Sequence, residues 1–146
     1  MVKSSNSCPI PEEAHISLTI TAHLRFQSLV DEFFRNFFTR IASTQNDGLP
    51  GLYQLVVSEA YTNVARHAYP EGVDGHVTIS ATVTTEKIVL TVTDEGAGFD
   101  PFTIPDPDPT NPGEGGYEVY IMRQSMDAFS YERNGACNVT KLIKNL

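Results

Sequence analysis

The chain has 146 residues, 40% hydrophobic and 19% charged, which suits one domain with a sizeable core and an ordinary soluble globular protein. Its formal net charge is -8, so no basic stripe is available to neutralise the phosphates of a nucleic acid. No apolar run approaches the roughly 18–20 residues that span a bilayer, which excludes a membrane helix.

Residues 1–14 read as a flexible tail with prolines at 9 and 11. The first seven residues are polar and lack the apolar region of a signal peptide, so the expected location is the cytoplasm. The alternation of Ile16, Leu18 and Ile20 predicts a strand over His15 to Thr21. From His23 to about Ser43, Leu24, Leu29, Val30, Phe33, Phe34, Phe37, Phe38 and Ile41 fall at helical spacing and predict a broad buried face. The four phenylalanines read as core.

Asn46-Asp47-Gly48 breaks the chain, and Leu49 to Ala68 reads as a second helix. Its apolar stripe is Tyr53, Val56, Val57, Ala60 and Val64, and Pro70, Gly72 and Gly75 terminate it. Two strands follow. Val77, Ile79, Ala81 and Val83 point inward from His76 to Val83, as do Ile88, Leu90 and Val92 from Lys87 to Thr93. The short connection Thr84-Thr85-Glu86 makes them an antiparallel hairpin.

Residues 99–116 differ in kind, holding five of the nine prolines with Asp100, Asp106, Asp108 and Glu114. Neither a central strand nor a helix fits there, and loops of this length in compact domains are often lids. A third helix is predicted from Tyr117 to Met126. Two last strands, Ala128 to Arg133 and Cys137 to Lys144, turn at Asn134-Gly135. Cys8 and Cys137 have no metal-ligand spacing and read as free thiols of a reducing compartment. The sequon Asn138-Val139-Thr140 reads as chance in a cytoplasmic chain. The order β-α-α-β-β-loop-α-β-β predicts an α/β two-layer sandwich over a single domain, 15–146. Its helices lie on one face of a mixed, mostly antiparallel sheet.

On the second helix Glu59, Asn63 and Arg66/His67 stand at i, i+4 and i+7/i+8, a stripe about a quarter turn from the apolar one. Polar residues at the margin of a buried face belong at the rim of a cleft. Glu59 suits a general base, and the amide oxygen of Asn63 suits Mg²⁺, a hard cation that takes few protein ligands. The same spacing also serves a solvated helix face. Asp94 ends a strand and can accept from an exocyclic amine such as adenine N6. Gly96 and Gly98 let backbone approach a flat ligand, though turns use Asp and Gly routinely. Gly113, Gly115 and Gly116, just before a helix, can offer amide N–H groups to phosphates or act as hinges.

Taken in this order the motifs resemble a known family. Val57-Ser58-Glu59-Ala60-Tyr61-Thr62-Asn63-Val64-Ala65-Arg66-His67-Ala68-Tyr69-Pro70 is similar to the N box of the ATPase superfamily shared by gyrase, MutL and histidine kinases. Asp94-Glu95-Gly96-Ala97-Gly98-Phe99-Asp100 is similar to its G1 box. The short chain, the run into His-Ala-Tyr-Pro and the segment Ile121 to Asp127 most resemble the RsbW-like anti-sigma factor serine/threonine kinases.

That resemblance implies the Bergerat fold, ATP with Mg²⁺, and a lid over about 99–116. It also implies sequestration of a sigma factor, phosphorylation of a small STAS-domain anti-anti-sigma partner, and a possible homodimer. By position, Glu59 matches the catalytic base, Asn63 the magnesium ligand and Asp94 the adenine contact. Arg66, His67, Gly96, Gly98, Phe99, Gly113, Gly115 and Gly116 fall in the matching nucleotide-binding motifs. One departure stands out: Glu118 occupies the last glycine of a Gly-Gly-x-Gly box. A carboxylate there adds negative charge near a triphosphate, and gives a second expectation. That alternative is a weakened or nucleotide-free binding module of the same fold, acting through protein–protein contacts. A histidine kinase fragment ranks below both, because the chain contains no dimerisation helix bearing a phosphoacceptor histidine.

Overall fold

Alternating apolar residues bury one sheet face only when another layer covers it, and the described helices do so here. The computed structural model describes residues 13–41, 49–98 and 117–146. Residues 1–12, the 42–48 connection and the expected lid over 99–116 lie outside the described residues. The strands are β1 (Glu13–Thr21), β2 (His76–Thr84), β3 (Lys87–Asp94), β4 (Ala128–Asn134) and β5 (Cys137–Asn145). They stand side by side as β1-β2-β3-β5-β4. Every described pairing is antiparallel.

The helices are α1 (Gln27–Ile41), α2 (Leu49–His67) and α3 (Tyr117–Ser125). None of the described helices is long and apolar enough to cross a membrane. The stripe Tyr53, Val56, Val57, Ala60 and Val64 on α2 is buried as expected. It meets Val77, Ile79, Ala81 and Val83 of β2 and Ile88, Leu90 and Val92 of β3 in one core. Two-residue alternation on the strands and 3.6-residue periodicity on the helix thus meet at a shared apolar layer.

Some boundaries and faces differ from expectation. β1 begins at Glu13, because Glu13 still pairs with Thr84. The first helix opens as a 3-10 turn at Leu24–Phe26, capped where Arg25 N–H donates to His23 Nδ1 at 3.0 Å. Leu24, Leu29 and Ile41 were expected in the buried face but are 43%, 52% and 39% exposed. The row that α2 covers is Val30, Phe34 and Phe38, with Phe33 and Phe37 partly buried beside it. Leu29 precedes that row by one residue, a rotation of about 100° around the helix.

Tyr61 joins the layers in a way the apolar stripe did not suggest. Its buried hydroxyl donates towards Thr21 O and His23 O, both at 2.8 Å, and accepts from His23 N–H at 3.2 Å. The bend between β1 and α1 is therefore fixed from α2, and backbone groups that leave the sheet there find a partner.

Candidate functional site

α2 and β3 converge on a cleft of about 350 Å³, counting the space that opens to solvent. Ala60, Asn63 and Val64 line it from one face of α2, and Ala68 lines it from just past the helix end. Val92 and Asp94 line it from β3, Thr140 from β5 and Met122 from α3. The walls are apolar, and three polar groups, from Asn63, Asp94 and Thr140, enter them. That composition suits a flat, partly polar small molecule.

The expected polar stripe of α2 divides. Asn63 lines the cleft, and its Nδ2 is buried without a hydrogen-bond partner among the described residues. Glu59 is half-buried one turn earlier on the same helix, while Arg66 and His67 are exposed; none of these three lines the cleft. A buried amide nitrogen without a partner loses the hydrogen bond it would make in water. A polar ligand would restore it.

Asp94 is 8% exposed and closes β3. Both of its described hydrogen bonds converge on Oδ1, from Gly96 N–H at 2.8 Å and Asn138 Nδ2 at 2.9 Å. Asn138 stands opposite Asp94 in the β3–β5 register and is 1% exposed. It donates as well to Gly96 O at 3.1 Å. The sequon asparagine is therefore a buried element of the site, and the folded chain has no room for a glycan on it.

The glycines after Asp94 have a different reason from the one the sequence suggested. A Cβ on Gly96 would collide with the Ala68 carbonyl, so this glycine permits close packing on the end of α2 rather than only approach to a ligand. Ala97 N–H donates to the same Ala68 oxygen at 2.9 Å. Gly98 has φ +96°, and a Cβ there would lie 2.8 Å from Arg133 Nη1. Gly is the residue that adopts such a backbone without strain.

Tyr69 adds a further tie. Its hydroxyl accepts from Glu95 N–H at 2.9 Å and donates to His76 O at 2.6 Å, while Gly75 lies against its ring. Burial pushes the Tyr69 pKa above its ordinary value, the Glu95 N–H bond opposes that, and the charges of Asp94 and Glu95 raise it again. The hydroxyl thus keeps its proton as the donor to His76.

Sequence reasoning missed Thr140, Met122, Asn138 and Tyr69. A signal for two of them was present: once Leu142 is assigned to the core, Asn138 and Thr140 share its face at spacing two. Phe99, Gly113, Gly115, Gly116 and the side chain of Glu118 lie outside the described residues.

The chain is similar to known proteins. The family described as "Histidine kinase-like ATPase domain" matches residues 27–144. A Bacillus subtilis (strain 168) protein named "Serine-protein kinase RsbW" is 33% identical over 95 residues, covering 59% of this chain and 59% of that protein. A Staphylococcus aureus (strain MSSA476) protein of the same name is 28% identical over 144 residues, covering 91% and 89%. The chain thus spans less than two thirds of the first relative's length and most of the second's. Among solved structures, the histidine kinase domain of the Erythrobacter litoralis EL346 blue-light activated histidine kinase superposes with a TM-score of 0.52 at 22% identity. That match covers 83% of this chain and 61% of the other, and it bears on the fold alone.

Proposed function

The chain belongs to the histidine kinase-like ATPase family, and from that premise we propose that it is an ATP-binding serine/threonine protein kinase and anti-sigma regulator. The observation that carries the proposal is the meeting of Asn63 from α2 and Asp94 from β3 in one apolar-walled cleft. Asp94 is fixed by two donors on Oδ1, and among the described residues no protein donor reaches Oδ2. A carboxylate oxygen held this way suits the N6 amine of adenine and rejects a carbonyl at that position.

Magnesium fits the same residues. Among the described residues no group of three His, Cys, Asp or Glu is placed to hold a metal. Asn63 lines the cleft, and its amide oxygen would supply a neutral ligand, with phosphate and water completing the shell. Its Nδ2, unpartnered among the described residues, would be free to donate to a phosphate oxygen. When bound, the ion supplies charge that neutralises the triphosphate.

In the proposed reaction, Glu59 accepts the proton of a serine or threonine hydroxyl on the partner. That oxygen bonds to the γ-phosphorus as the bond to the β-phosphate oxygen breaks, releasing ADP. The names of the two curated relatives support a seryl acceptor. By their match to the family's motifs, Gly113, Gly115 and Gly116 would offer N–H groups to the phosphates, and Phe99, Arg66 and His67 would contribute to nucleotide binding. The proposed partners are a sigma factor and a small STAS-domain protein, with a homodimer as the proposed assembly of the 15–146 domain.

Glu118, where the family's glycine box ends, favours the second reading of a binding module without turnover. Calorimetric titration with Mg-ATP separates the two. Micromolar binding by the native chain supports the kinase, and binding by Glu118→Gly alone supports the module. In the native protein, Glu59→Ala is expected to retain ATP binding and lose transfer to a STAS partner. Unchanged transfer would remove Glu59 from the role of base.

A further inference from the structure

Asp94 does not hold its orientation alone. Asn138 donates to it and to Gly96 O, two acceptors that both call for the amide nitrogen, so what remains is which groups hold the amide oxygen. The answer comes from the edge strand β4. Arg133 Nη1 donates to Asn138 Oδ1 at 2.7 Å, and Tyr131 Oη donates to the same oxygen at 3.0 Å. A guanidinium can only donate. Asn138 must therefore turn Oδ1 towards Arg133 and Nδ2 towards Asp94.

Arg133 Nη1 also donates to Gly96 O at 3.2 Å, an oxygen shared with Asn138 Nδ2 at 3.1 Å. It lies beneath Gly98 as well, whose φ is +96°. One cation thus braces the loop after Asp94 at Gly96 and, with Tyr131, holds the oxygen end of the amide beside the carboxylate.

We propose that Arg133, acting through Asn138, is a positioning residue that sets nucleobase selectivity. The relay runs from Arg133 to Asn138 Oδ1, and from Asn138 Nδ2 to Asp94 Oδ1, which leaves Asp94 Oδ2 as an acceptor for an exocyclic amine. This rests on the reading of the cleft as an adenine site. Arg133 is itself exposed on β4 and is not among the residues that line the cleft, so its replacement alters the relay without removing a wall of the pocket.

The test compares calorimetric affinities for Mg-ATP and for the magnesium complex of purine riboside triphosphate, which lacks the 6-amino group. The native chain and its Arg133→Ala, Arg133→Lys and Asp94→Asn variants are measured, with circular dichroism confirming that each is folded. Loss of one charge-assisted hydrogen bond corresponds to roughly a tenfold change. Arg133→Ala is expected to lower the ATP preference by about that factor while affinity for the purine analogue changes little. Arg133→Lys keeps the charge but lacks the planar fork, and is expected to restore part of the preference. A purely structural role would weaken both ligands equally, and an unchanged ratio in Arg133→Ala overturns the proposal while leaving the site intact. A native chain that binds neither nucleotide, or an Asp94→Asn variant with undiminished ATP preference, overturns the adenine reading and this proposal with it.

Discussion

The amide of Ala97 donates to the carbonyl oxygen of Ala68 at 2.9 Å, so the end of α2 is capped by the loop that follows β3. Helix carbonyls at a C-terminus lack intrahelical partners. Here one of them is satisfied by the segment that carries the proposed adenine contact. The two motifs of the site are therefore a single mechanical unit, separated in sequence but joined at the backbone.

Gly96→Ala tests that unit directly. The added methyl would meet the Ala68 carbonyl, which belongs to backbone and cannot swing aside. The expected cost is about 1–3 kcal/mol or more. Thermal unfolding should show a fall of several degrees, together with lost nucleotide affinity. An unchanged melting temperature would show that the loop and α2 are not tightly joined.

Tyr69→Phe leaves Glu95 N–H and His76 O without their side-chain partner. These groups are partly reachable by water, so the expected loss is about 1–2 kcal/mol rather than the larger penalty of a fully buried orphan. Native-state hydrogen exchange should speed up at the Glu95 amide while the amides of Leu90 and Val92, in the middle of β3, keep their protection. Equal acceleration at all three would mean that the substitution loosens the whole domain.

For Asp94→Asn the fold should survive, because the new Oδ1 can still accept from Gly96 N–H and Asn138 Nδ2. What changes is the free side of the group, where an acceptor becomes a donor. ATP affinity is expected to drop about 10- to 100-fold by calorimetry, the range for a hydrogen bond to a charged group. Inosine triphosphate, which presents a carbonyl at the same position, should lose less.

Alkaline stability follows from three tyrosines. Burial is the leading cause that raises the pKa values of Tyr53, Tyr61 and Tyr69 above 10.0. Above pH 10 the unfolded chain loses these protons first and binds fewer than the native state, so stability falls as pH rises through the native values. Below pH 10 their contribution is fully present. Urea unfolding between pH 8 and pH 11, on the order of the tyrosine range, should show that decline, and Tyr61→Phe should make it shallower. An identical slope in that variant would remove Tyr61 from the account.

Much of the fold could be read in the chain because its periodicities are local. Alternation in β2 and β3 and the stripe on α2 each identify a buried face without knowledge of what covers it. The same reasoning misplaced Leu24, Leu29 and Ile41. Periodicity says that a residue is apolar and near the stripe, whereas burial depends on how far the neighbouring helix reaches. Asn63 and Asp94 were legible as polar residues at the margins of apolar elements. For Asn138 only the buried face was legible, through its spacing to Leu142; its role was not, since that comes from standing opposite Asp94 across a pairing that sequence distance conceals.

By itself, the sequence determined the elements, the apolar faces and the residue types at the two motifs, because backbone propensity and hydrophobic spacing act over a few neighbours. Only the tertiary structure decided that Ala68 and Ala97 share a hydrogen bond, that Gly96 is a packing glycine, and that Arg133 donates to the amide beside Asp94. Those relationships depend on the β3–β5–β4 register and on the approach of α2 to the sheet. Such geometry is set by the joint packing of segments far apart in the chain, and no local pattern encodes it.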